Sequence, residues 1–162
     1  MIELGIIVNT RATEIEVIDQ GVVTRRMTFL PAGVELTMAL VEYLKTRHSL
    51  RIDRLSAQGI LLVIGAALPL DENRAMTVRG HGVTDGQPQE VEVTGEEIRE
   101  AIEEVIEQLV SAAAQRIQHM VSTTQLATPA GSTILLKGEF KHLKNLDRRL
   151  AEAIGADVVV DE

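Results

Sequence analysis

The sequence predicts an α/β domain with a mixed sheet that opens on three antiparallel strands, is flanked by helices and carries a small α-β-β insert. Three observations predict it. The β-rich runs Leu4 to Val8, Thr13 to Ile18 and Val22 to Leu30 are parted only by short polar breaks around Asn9-Thr10-Arg11 and Asp19-Gln20-Gly21, as in an antiparallel meander. Helical and strand periodicities then alternate to the end of the chain. The 162 residues are 45% hydrophobic and only 2% aromatic, enough Ile, Leu, Val, Ala and Met to fill one aliphatic core.

Each later element has its own warrant. Pro31 stops the third strand, and from Gly33 to His48 the residues Val34, Leu36, Met38, Ala39, Leu40, Val41 and Leu44 recur at helical spacing. A second helix is expected from Ile52 to Ile64, with Gly65 as a left-handed cap. Its stretch Gly59-Ile60-Leu61-Leu62-Val63-Ile64 is apolar on every side, so it is either fully buried or covers a partner. Met76-Thr77-Val78 and Glu90-Val91-Glu92-Val93 alternate like half-buried strands and form a hairpin through the turn-rich segment Gly80 to Pro88.

Thr94-Gly95-Glu96-Glu97 is a capping box that starts a long helix, expected to reach about Val121. Its acidic first turns, with Glu96, Glu97, Glu100, Glu103 and Glu104, suit the positive end of the helix dipole, and Ile98, Ile102, Val105, Ile106 and Leu109 form its buried stripe. A loop around Pro129 leads to a strand at Thr133 to Leu136, a helix at Leu143 to Ile154 and a last strand at Asp157 to Val160. Residues 1–50 and 94–162 read as the core, and residues 51–93 as a small inserted subdomain.

A formal charge of −8 and a pI near 5.0 argue against nucleic acid or an anionic membrane as partner, because both need a basic face. With no cysteine, disulfides, thiolate metal ligands and a cysteine nucleophile are excluded. No signal peptide and no apolar run of spanning length is evident, so a cytoplasmic location is expected. His48, His81, His119 and His142 sit in different elements without ligand-like spacing, so no metal site is expected. The Glu run is explained by a solvated, dipole-favoured helix face. No catalytic residues emerge, and no enzyme is expected.

Three antiparallel strands followed by alternating helices and strands is the ribonuclease-H-like order, which the actin and sugar-kinase families use twice per chain. The segments "ATEIEVIDQGVV", "RIDRLSAQGILLVIGAALP", "VTDGQPQEVEVTGEEIREAIEEVI" and "HLKNLDRRLAEAIGADVVV" together resemble the second large domain of the bacterial actin family MreB, in that family's order. The resemblance implies an actin-like ATPase domain half, subdomains IIA and IIB, with a further helix after the last strand that this sequence does not contain. Asp157, Asp161 and Glu162 are expected to keep the edge at Val158 to Val160 from uncontrolled pairing. The family's membrane-binding elements belong to its other half, so no direct membrane contact is carried over.

The departures from the family pattern are concentrated where that pattern holds nucleotide. Its first strand ends in an Asp and a Gly-Gly-Gly turn, which align with Ile7 and with Asn9, Thr10 and Arg11. Glycines let backbone amides approach a phosphate and the carboxylate positions the metal-bound water, so cradle and charge are removed together. The loss of that carboxylate at Ile7 also argues against a two-metal nuclease. The family's Gly-Gly-Asp becomes Ala32-Gly33-Val34, and a Glu, a Lys and a Glu of its adenosine-contacting helix become Gln58, Leu61 and Val63. A Thr-Gly-Gly-Gly turn becomes Leu136-Lys137-Gly138-Glu139. A degenerate nucleotide site at Asn9, Thr10, Arg11, Gly33, Gln58 and Gly138 with no cofactor is therefore expected.

Ile7, Val34, Leu61, Val63 and Leu136 are expected to converge at the mouth of that site as an exposed apolar patch favouring association, against the alternative that they fill the emptied cleft. The reading is a non-enzymatic actin-like half that self-associates through this face, as a homodimer. Simultaneous apolar replacement of a ligand site is also a design-like signature. The alternatives are a regulator or cap of a full-length bacterial actin filament in cell-shape control, and weak residual ATP binding.

Overall fold

Short apolar, β-branched runs parted by polar breaks set the first sheet. The computed structural model describes residues 2–124 and 133–162, so the loop expected around Pro129 lies outside the described residues. β1 (Ile2–Val8), β2 (Thr13–Asp19) and β3 (Val22–Phe29) form the antiparallel meander, with a bulge between Val17 and Ile18. The β2–β3 turn uses Gln20 and Gly21, at φ 51° and 81°, the left-handed pair a two-residue hairpin requires. β7 (Thr133–Lys137) pairs parallel to β1, and β8 (Asp157–Val160) parallel to β7, giving the order β3-β2-β1-β7-β8. Leu4, Ile6, Val8, Ile15, Val17, Ile134, Leu136 and Val158 are buried in the core.

α1 (Gly33–His48) has the predicted bounds and buries Leu36, Leu40 and Leu44. α3 (Gly95–Thr124) begins at the predicted capping box: the Glu97 amide donates to the Thr94 hydroxyl at 3.2 Å, and the Thr94 amide donates to the Glu97 carboxylate at 3.0 Å. Ile98, Ile102, Ile106 and Leu109 are fully buried and Val105 partly so, which is the expected stripe of an amphipathic helix.

A second sheet, β4-β5-β6, comprises β4 (Leu50–Arg51), β5 (Ala75–Gly82) and β6 (Pro88–Thr94), and α2 (Arg54–Ile64) lies between its first two strands in sequence. α2 starts two residues later than its hydrophobic pattern suggests because Asp53 caps it, its carboxylate accepting the Ser56 amide at 2.7 Å, and β4 takes up Leu50 and Arg51 just before. The β5 strand runs on through Gly80 to Gly82, so the hairpin turn is tighter than the segment Gly80 to Pro88.

Two further helix termini differ from expectation. Gly65 is not left-handed: at φ −70° and ψ 151° the chain leaves α2 extended, and Ala66 then bridges in parallel to Lys144. Glycine is required there because a β-carbon would collide with the Leu61 carbonyl. α4 (Leu146–Ile154) starts three residues later than its apolar pattern, because Asn145 takes φ 62° and Leu143 is a buried turn residue that donates its amide to the Phe140 carbonyl at 3.0 Å.

Candidate functional site

Parallel pairing of β1 with β7 sets Ile7 beside Lys137, so the turns after the two strands meet. The first turn, Asn9 to Ala12, is closed by the Asn9 amide donating to the Ala12 carbonyl at 3.1 Å. The second begins at Gly138, whose φ of 99° and approach to the Val8 carbonyl, 2.5 Å from a β-carbon placed there, both exclude a side chain. The turns are stitched reciprocally. The Glu139 amide donates to Asn9 Oδ1 at 2.9 Å, and the Thr10 amide donates to Glu139 Oε1 at 3.1 Å.

The start of α1 joins the same seam. The Gly33 amide donates to the Asn9 carbonyl at 2.9 Å and the Val34 amide to the Thr10 carbonyl at 2.8 Å. Phe140, fully buried, donates its amide to the Val8 carbonyl at 3.0 Å and lays its ring against Gly33, where any β-carbon would overlap it. Gly33 therefore serves packing. Of the residues expected at the degenerate site, Asn9, Thr10, Gly33 and Gly138 are brought into this one junction. Arg11 is exposed at its turn, and Gln58 is half-buried on α2.

The five apolar positions do not form one exposed patch. Leu61 and Leu136 are fully buried in the core, Ile7 and Val34 are half-buried, and only Val63 is well exposed. Leu61 faces inward because α2 is two-sided: Ala57, Ile60, Leu61 and Ile64 are buried, which also answers whether the helix is buried all round. Its outer face carries Leu55 and Val63, exposed to 82% and 58%.

α2 is held by the loop that follows the second turn. Lys144 Nζ donates to the Val63 carbonyl, and the Ala67 amide donates to the Lys144 carbonyl at 2.8 Å. Arg149 then fixes the far side: Nη1 reaches the Ala67 carbonyl at 3.0 Å, and the guanidinium forks onto both Glu103 oxygens at 2.8 Å and onto Glu107 at 2.7 Å. The Arg149 hydrogen bonds hold the Glu103 carboxyl below its ordinary value. Glu16, buried beside Gly5, is neutralised by Lys137 at 2.9 Å and Arg26 at 3.2 Å.

Glu139 and Leu55 are among the residues whose roles emerge only in the folded chain. Glu139 closes the turn, and its signal is an acidic residue directly after a turn glycine at the end of a strand parallel to β1. Leu55 dominates the outer face of α2, and its signal is the spacing of four to Gly59 and four more to Val63. Among the described residues no helix is long and apolar enough to cross a membrane.

The chain matches the family model for MreB/Mbl protein over residues 3–162. It is 32% identical over 155 residues to the cell shape-determining protein MreB of Escherichia coli (strain K12), covering 93% of this chain and 43% of that protein. It is 26% identical over 150 residues to the cell shape-determining protein Mbl of Bacillus subtilis (strain 168), covering 93% of this chain and 45% of that one. The chain thus spans less than half the length of these curated relatives. Among solved structures it resembles MreB5 of Spiroplasma citri bound to ADP, with a TM-score of 0.85 at 16% identity over 99% of this chain and 49% of that one. It also resembles MamK in its double helical filament, with a TM-score of 0.74 at 14% identity and the same coverage. The fold is thus that of an actin-like domain, and the chain belongs to the MreB/Mbl family of cell-shape cytoskeletal proteins.

Proposed function

We propose that this chain is a non-enzymatic, actin-like assembly module that has given up nucleotide and works through protein contacts on the face where the family pattern holds it. The observation that carries this reading is the closed junction: the Thr10 amide is taken by the Glu139 carboxylate, and the Gly33 and Val34 amides by backbone carbonyls. A phosphate would have to displace all three bonds and sit against a carboxylate, and the strand position that supplies a carboxylate for metal-bound water is Ile7. These residues do not fit ATP and magnesium. Calorimetric titration with ATP and Mg2+ is expected to give no binding heat up to roughly 1 mM, the affinity at which binding is worth about 4 kcal/mol. Saturable heat at lower concentration would overturn the reading.

The likeness to MamK in a filament favours a second reading, in which the module joins or caps filaments of a full-length relative. Cosedimentation with such filaments is the outcome that would select it.

A further inference from the structure

We propose that the outer face of α2 is a two-fold docking surface for a second copy of this chain, with the symmetry axis at Gly59. The inference deepens the assembly reading above and rests on it. The inner face of α2 is filled by Ala57, Ile60, Leu61 and Ile64, yet Leu55 and Val63 remain largely in water. No charged residue occurs from Leu55 to Ile64, so this face lacks what a solvated helix normally carries. Between the two exposed side chains lies Gly59, where an added β-carbon would meet nothing within 4 Å.

The spacing selects the occupant. Leu55 lies four residues before Gly59 and Val63 four after it, so the three share one side of the helix and are symmetric about the glycine. A two-fold axis there sets a second α2 antiparallel to the first, with Leu55 on Val63 of the second copy and the reverse. This is the self-complementarity that an isologous contact demands. Packed helix axes lie about 8–10 Å apart and each Cα sits about 2.3 Å from its axis, so the two Gly59 Cα atoms would face each other at roughly 3–5 Å. A bulky side chain at 59 would hold the helices apart, whereas glycine lets Leu55 and Val63 reach their partners, and a cysteine pair, whose disulfide spans Cα atoms about 4.4–6.8 Å apart, still fits the upper end of that separation.

A helix of 11 residues buries less than the roughly 1,200–2,000 Å2 of a stable complex, so the dimer is weak and depends on concentration.

The absence of cysteine makes the test direct, because Gly59→Cys carries a single thiol at the axis. Cysteine is a better helix former than glycine and has open space there, so the variant folds. Under mild oxidation it should form a disulfide dimer at least about tenfold faster than Glu152→Cys, an exposed control on α4, because the pre-formed contact raises the effective thiol concentration. Leu55→Cys mixed with Val63→Cys should likewise give a mixed dimer faster than either alone. Light scattering of the unmodified chain over a dilution series separates the failures. If the chain associates but Gly59→Cys crosslinks no faster than the control, the α2 geometry is wrong and the assembly reading stands. If the chain stays monomeric throughout, both fall.

Discussion

Glu139 is an exposed residue, yet its side chain and amide bond the neighbouring turn in both directions. Water can satisfy the Thr10 amide once the carboxylate is gone, but nothing can relieve a misfitted backbone at the neighbouring Gly138. Glu139→Ala is therefore expected to cost about 0.5–1.5 kcal/mol, the usual net worth of such a bond. Gly138→Ala should cost more, about 1–3 kcal/mol, because it forces alanine to a φ of 99° with its β-carbon on the Val8 carbonyl. Urea denaturation of the two variants checks the order. The reverse order would mean that the carboxylate, and not the backbone shape, holds the junction.

Local rules made most elements legible, and the misses have local causes. The capping box at Thr94 fixes the start of α3 because two side-chain bonds within four residues are all it needs. Gly65 departs from the rule that glycine after a helix commonly means a left-handed cap, because here it prevents a collision and the chain continues extended toward Lys144. At this scale Arg149 is the test case, since it clamps α3, α4 and the exit of α2 together. Arg149→Ala is expected to destabilise by about 1–3 kcal/mol by leaving the Ala67 carbonyl and the Glu103 carboxylate without their donor. The acid limb carries a second signature. Glu103 titrates lower in the folded chain than in the unfolded one, so its contribution is present above the unfolded value and is lost as pH falls through the folded one. A pH series of urea midpoints should show the gap between parent and variant closing on that acid side, and a gap constant with pH would remove Glu103 from the account.

Across the whole molecule, what the sequence left hidden is what long-range pairing creates. Asn9 and Glu139 are 130 residues apart and meet only because β1 and β7 run parallel and end together. The acidic residue after Gly138 is a local cue to a turn, but no local pattern marks its partner Asn9. Likewise Leu61 and Val63 look alike in the sequence, and only the packing of α2 sends one into the core and the other into water. The global charge does bear on assembly and can be tested at the same scale. Two copies that approach each carry −8, so their mutual repulsion opposes any dimer. An apolar contact through α2 gains nothing from charge and is helped when that repulsion is screened. Raising salt from about 0.01 M to about 0.15 M shortens the screening length from roughly 30 Å to roughly 8 Å. Sedimentation velocity at fixed protein concentration should therefore show a larger dimer fraction at the higher salt. A dimer that dissolves as salt rises would instead be held by ion pairs, and the contact would have to be moved from the uncharged face of α2 to a charged surface such as the basic end of α1 at Lys45 and Arg47.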